Sequence, residues 1–128
     1  SEYIMVEGQG SLLHPGYSPV TLGLMHGSMP DGMILCHQPS RTHISNRERF
    51  AIPSLKTVAD LYLQMQHNLK PSRIIGVCMN TYGMEESEAR AAVDAASQEL
   101  QLPATDPCRF DTSDLIAALQ HHRKEIGK

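Results

Sequence analysis

Short apolar runs alternate along this chain with stretches whose apolar residues recur every three or four positions. That is the pattern of fully buried strands interleaved with amphipathic helices. Residues 3–6 (Tyr3, Ile4, Met5, Val6) have no polar break and predict a first strand, buried on both faces of a parallel sheet and ending at Glu7. A short helix is expected over residues 20–28, interrupted at Gly23 and stopped by Pro30. Asp31 and Gly32 then turn into a second strand over residues 33–36. Residues 37–53 are polar, rich in Arg and Ser and without periodicity, and read as one long loop. Loops beyond about 12 residues in compact domains tend to be functional or disordered.

Ser54 reads as the N-cap of a second helix with Leu55, Val58, Leu61, Tyr62, Met65 and Leu69 on its core face. Pro71 and Ser72 end it, and residues 73–79 predict a third strand leading to Asn80 and Thr81. Glu85, Glu86 and Glu88 crowd the first turn of a third helix, where negative charge complements the helix dipole. Ala89, Ala92, Val93, Ala96 and Leu100 give that helix a small-residue face for close approach to a sheet. Pro103, Ala104 and Thr105 open a short fourth strand running into Asp106 and Pro107. The last helix, capped near Asp111 or Thr112, carries Leu115, Ile116 and Leu119 inward, and residues 121–128 read as a charged, fraying end.

This alternation implies right-handed parallel crossovers and an α/β fold with a doubly wound parallel sheet covered on both faces. A sheet of four strands is thin for that class, and a buried strand at the very start of the chain looks like a cut through a larger fold. The expectation is therefore that residues 1–128 form the C-terminal part of one larger domain.

Composition narrows the functional classes. The chain is 41% hydrophobic and 20% charged, with a formal net charge of -3, which is ordinary for a globular protein. Lys and Arg are scattered rather than striped, so no nucleic-acid partner is expected. No apolar stretch approaches the roughly 18 residues of a membrane span, and the opening residues read as strand rather than as a leader. No membrane partner and a cytoplasmic location are expected. The 3 cysteines (Cys36, Cys78, Cys108) are far apart and read as free thiols, with Cys36 and Cys78 packed inside their strands. The spacing of His14, His26, His37 and His43 is too irregular for a zinc site.

In a parallel sheet the carboxyl ends of the strands share one edge, where ligands bind. Glu7, Cys36 with His37, Asn80 with Thr81, and Asp106 with Pro107 all fall there by sequence. Glu7 could hold Mg²⁺ or position a phosphate, while Gly8 and Gly10 let the backbone turn and a ligand come close. Asn80 could bind a base or ribose, or close a turn; Asp106 before a proline is equally a turn former. Arg41 offers a planar fork for a phosphate or carboxylate. His14 or His43 could act as acid or base near neutral pH. No Gly-rich loop ending in Gly-Lys-Ser/Thr, no nucleophile elbow and no GxGxxG opening a helix is present.

VEGQGSLLHP, then YSPVTLGLMHGSMPDGMILCHQPSRTH, IIGVCMNTYGMEESEA and PATDPCRF, in that order, closely resemble one family. It is the C-terminal P-loop domain of the D-glutamate N-acetyltransferase-like (DgcN-like) family, long catalogued as a domain of unknown function. More distantly, VEGQGSLLHP resembles the VEGAGG-type segment of dethiobiotin synthetase. That likeness implies a P-loop NTPase-like sheet, with Glu7 near Mg²⁺ and phosphate, Asn80 at an adenine, and Gly8 and Gly10 at the phosphate or substrate edge. Asp106, on the same strand-end rim, is grouped with the nucleotide-binding residues. The family resemblance also implies a phosphate-binding loop and a Rossmann-like domain upstream, so that the rest of its own chain completes the site, and a homo-oligomer.

The resemblance leads to a small-molecule acyltransferase that N-acetylates an acidic amino acid such as D-glutamate, with acetyl-CoA as cosubstrate and no tightly bound cofactor. In that reading His14 or His43 is the base, Arg41 holds the substrate, and the amides of Gly8, Gln9 and Gly10 face the developing oxyanion. Two alternatives stand beside it. One is an ATP- and Mg²⁺-dependent ligase of the dethiobiotin synthetase type; the other is a non-catalytic nucleotide-binding module.

Overall fold

The strand with the most continuous apolar run, β4 (Arg73–Met79), lies at the centre of a three-stranded sheet in the computed structural model, which describes residues 3–128. It pairs in parallel with β1 (Gly32–His37) on one side and with β5 (Ala104–Thr105) on the other. Helix α1 (Ser18–Ser28) precedes β1, α2 (Leu55–His67) and α3 (Glu86–Leu100) flank β4 in sequence, and α4 (Ser113–Glu125) closes the order. Between β1 and α2 lies a separate antiparallel hairpin, β2 (His43–Ile44) with β3 (Arg47–Ala51).

Alternation along the strands decides which face each helix covers. Leu35, Val77 and Met79 pack into one cluster with Leu55 and Ala59 of α2 and Val93 and Ala96 of α3. Gly76, one position before Val77, faces the other way: a Cβ there would run into Leu115 Cδ1 of α4 and come within 2.7 Å of Pro103 O. Only the missing side chain lets α4 and the start of β5 approach so closely. The sheet is therefore covered on both faces, the α/β architecture expected.

Local chemistry explains the element ends. Ser54 caps α2, its hydroxyl accepting from the amide of Thr57 at 3.2 Å. Glu86 and Glu88 sit in the first turn of α3. Helix α1 has a proline at its start and ends at Met29, a left-handed residue whose N–H returns to Met25 O at 2.9 Å.

Several expectations need correction. Residues 3–6 form no strand: among the described residues they belong to no sheet, and all are exposed, Ile4 by 84%. An apolar run tells of burial only where a neighbouring strand takes up its backbone groups. Among the described residues the sheet accordingly has three strands rather than four. Residues 37–53 contain the β2–β3 hairpin, whose charged, wholly exposed β3 shows no inside–outside alternation. Gly23 does not interrupt α1. On α2, Met65 is exposed and Leu69 lies beyond the helix, while Gln66 is buried. Ile116 is exposed on α4. Cys36 is exposed and Cys78 half-buried, because α4 covers that sheet face at Gly76 rather than at the strand ends.

The chain's last residues are also held rather than frayed. His122 is buried with Nε2 2.9 Å from Asp31 O, and the ammonium groups of Lys128 and Lys70 meet the Asp31 carboxylate at 2.8 and 2.7 Å. The hydrogen bonds from Lys128 and Lys70 hold the Asp31 carboxyl below its ordinary pKa. Among the described residues no helix is long and apolar enough to cross a membrane.

Candidate functional site

The carboxyl ends of the three strands are tied together by hydrogen bonds. At the end of β4 the amide of Asn80 donates to His37 O at 2.8 Å, joining β4 to the end of β1. Thr81 donates its amide and its hydroxyl to Asp106 Oδ2, at 3.0 and 2.5 Å, joining β4 to the end of β5. The other oxygen, Oδ1, accepts from Cys108 N at 2.9 Å. Arg109 spans the same loop, donating from Nη2 to Thr81 O at 3.2 Å and Met84 O at 2.8 Å.

Asp106 is only 3% exposed. Burial works against its charge, but the two bonds from Thr81, the Cys108 amide and the nearby Arg109 outweigh it and keep the carboxyl below the usual range. Both oxygens are engaged within the protein, so the residue shapes the loop after β4. Asn80 Oδ1 accepts from Tyr82 N at 3.1 Å, a turn-closing bond that leaves the amide NH₂ uncommitted, and Tyr82 stands 85% exposed at the tip.

A second loop adjoins β1. Residues 7–10 are all exposed, and the charge of Glu7 reaches Cys36, whose thiol pKa is raised first by burial and then by that carboxylate. Gly10 has φ of 71°, and a Cβ there would lie 2.8 Å from Tyr17 Cβ, so this position requires glycine. Thr21 donates its hydroxyl to Gln9 O at 3.0 Å. Tyr62 of α2 accepts from Leu12 N at 3.3 Å. Burial raises the phenol pKa, while that amide and the nearby Ser11 side chain work to lower it. These contacts fix the Gly8–Gln9–Gly10 amides against α1 and α2 rather than leaving them as a free tail.

Arg41 enters a third feature, a cleft of about 340 Å³ between the hairpin region and the α2–α3 face. His37, Arg41, Ile52, Leu55, Met79 and Glu99 are among its lining residues, so it opens where β1 and β4 end. A larger open depression of about 520 Å³, lined by Gln98, Pro103 and Asp114, lies where β5 begins. Its position at the opposite sheet edge and its single charged group make it the poorer ligand site.

Glu7, Asn80 and Arg41 thus adjoin the ends of β1 and β4. His43 does not join them: it is exposed on the hairpin with Nδ1 2.8 Å from Thr42 Oγ1 and does not line the cleft. His14 follows the glycine loop, and its Nδ1 accepts from Gly16 N and Tyr17 N at 3.0 and 3.2 Å. That arrangement places the proton of the neutral ring on Nε2. Among the described residues no three His, Cys, Asp or Glu side chains converge as metal ligands. A Mg²⁺ at Glu7 would draw its other oxygens from water and ligand phosphates, as this ion commonly does. The sequence marked Tyr62 only as a core-face residue of α2 and did not mark Arg109, and their partners are 50 and 28 residues away. Nothing local marks those bonds.

Residues 1–116 match a family described as "Domain of unknown function (DUF1611_C) P-loop domain". A D-glutamate N-acetyltransferase from Tritonibacter scottomollicae is 41% identical over 116 residues, which are 90% of this chain and 35% of that protein. A D-glutamate N-acetyltransferase from a Pseudoalteromonas species is 33% identical over the same shares. The crystal structure of a DUF1611 family protein from Anabaena variabilis superposes with a TM-score of 0.84 at 36% identity, covering 90% of this chain and 34% of that one. The chain thus spans about a third of the length of the relatives it matches. With its parallel sheet, strand-end loops and sequence all agreeing, the chain belongs to the DUF1611 family, within its C-terminal P-loop domain.

Proposed function

We propose that this chain supplies part of the active site of an N-acetyltransferase that moves the acetyl group of acetyl-CoA onto the amine of an acidic amino acid such as D-glutamate. The observation that carries the reading is 41% identity to a D-glutamate N-acetyltransferase over 116 residues, 90% of this chain. Acyl transfer to an amine needs a cation for the acceptor's carboxylate, a base for its ammonium proton and donors for the oxyanion. Arg41 supplies the first, and the exposed, anchored Gly8–Gln9–Gly10 segment offers amides for the last. Asn80, with its NH₂ uncommitted beside the end of β4, is suited to the nucleotide part of CoA.

Transfer of labelled acetyl from acetyl-CoA to D-glutamate by the intact protein tests this. A second reading draws support from the exposed carboxylate of Glu7 beside the glycine loop, an arrangement fit for Mg²⁺ and phosphate in an ATP-dependent ligase. Phosphate release from ATP that is lost in Glu7→Ala, without any acetyl transfer, would favour the ligase.

A further inference from the structure

Of the four histidines that are not fully exposed, three have a ring nitrogen committed to the backbone. His14 accepts from Gly16 and Tyr17, His26 bonds to Met65 O at 2.8 Å, and His122 bonds to Asp31 O. His37 is the fourth, and its ring makes no hydrogen bond among the described residues. It ends β1, and its own carbonyl is fixed by Asn80 N, so the backbone beneath the ring is rigid while both ring nitrogens stay available.

The ring lines the cleft together with Arg41 and Glu99, one cation and one anion. Glu99 is itself oriented, its Oε1 accepting from Lys56 N at 3.0 Å. The remaining wall is mostly apolar, from Pro39, Ile52, Leu55, Met79 and Ala96. A positive group and an oriented negative group lining one mostly apolar cleft complement the carboxylate and ammonium of an amino-acid zwitterion. The volume of about 340 Å³ lies within the range of small-molecule sites.

Resting on the acetyltransferase reading, we infer that this cleft binds the acceptor amino acid, with its carboxylate on Arg41 and its ammonium toward Glu99, and that His37 is the base that takes the ammonium proton. The freed amine lone pair then attacks the thioester carbonyl carbon of acetyl-CoA. The nitrogen of the tetrahedral intermediate gives its second proton to water, the C–S bond breaks, and the CoA sulfur leaves with the electron pair and takes the first proton back from the imidazolium, so that N-acetyl amino acid, CoA and one proton released to solvent result. Two charged groups share the cleft with His37. Burial lowers its pKa and the Glu99 carboxylate opposes that shift, while Arg41 is the other charge in the cleft. The net lowering keeps the ring unprotonated, able to accept, at neutral pH.

The test uses the intact protein, acetyl-CoA and D-glutamate. His37→Gln is expected to lower kcat by about 10²–10⁴-fold, the range for losing a general base, with KM for the amino acid little changed. The acid limb of the wild-type pH–rate profile should vanish in that variant. Added imidazole should restore part of the rate in His37→Ala, which a merely structural loss would not allow. Wild-type kcat in His37→Gln, or a fall with the acid limb intact and no imidazole rescue, overturns the inference while leaving the acetyltransferase reading in place. Absence of transfer by the wild type removes the reading and the inference together.

Discussion

Asp106 holds Thr81 through both its amide and its hydroxyl, so the end of β5 dictates the shape of the loop that follows β4. That loop carries Asn80 and the exposed Tyr82, and Arg109 grips its far side at Met84. A buried carboxylate, rather than a strand of regular length, keeps this part of the ligand edge in place.

Asp106→Ala leaves three donors without their acceptor and should cost about 3 kcal/mol near neutral pH. The native carboxyl titrates below its unfolded value, so its stabilisation is complete above about pH 3.9 and is lost as pH falls through the native pKa. Denaturant melts of both proteins should therefore show a wide gap at pH 7 that narrows in acid. A gap that widens on acidification would contradict the sign of the linkage.

At Gly76 the expectation concerns space. An added methyl meets Leu115 on one side and the backbone oxygen of Pro103 at 2.7 Å on the other. Gly76→Ala should destabilise by about 1–3 kcal/mol, the usual cost of overpacking. Shortening Leu115 in the same protein should relieve only part of this, because the Pro103 oxygen cannot retreat without moving β5. Full relief in the double variant would show that the second contact is unimportant.

Tyr62→Phe removes the hydroxyl that accepts from Leu12 N. Global stability should change by only about 1 kcal/mol, typical of a single hydrogen bond. Amide exchange at Leu12 should accelerate well beyond that of α2 itself. Unchanged exchange there would mean that the glycine loop is held by α1 alone.

How much of this was legible in the chain depends on how local the cause is. Ser54 and the glutamates before Ala89 mark helix starts through neighbours one turn away, and residues 73–79 form a strand because their run is apolar on both faces. The same logic failed at Tyr3, Ile4, Met5 and Val6, since a strand also needs a partner, and no residue type announces one. Arg47, Glu48 and Arg49 hid the β2–β3 hairpin because both of its faces are wet. The strand-end residues His37, Asn80 and Asp106 could be placed on one edge from the parallel order alone, whereas Glu7 was expected there as the end of a strand that does not form. That Asp106 turns inward to Thr81 while His37 lines a cleft depends on side chains far apart in sequence, and only the fold supplies that.

Glu7 and Cys36 offer a direct check on the position of the glycine loop. Removing the carboxylate in Glu7→Gln should lower the Cys36 thiol pKa and speed its alkylation, each pKa unit being about a tenfold change in thiolate below the pKa. Burial, the larger cause, remains, so the thiol should stay less reactive than a free one. Mass mapping separates Cys36 from Cys108, which is exposed as well. An unaltered rate at Cys36 would detach Glu7 from the end of β1.

Hydrogen exchange of the intact protein with and without acetyl-CoA probes the ligand edge as a whole. The account predicts slowed exchange in residues 7–14, 37–43 and 80–84, the segments at the carboxyl ends of β1 and β4, and little change in residues 68–73 or 121–128. Protection confined to those last two segments, at the opposite edge of the sheet, or none anywhere in the chain, would contradict it.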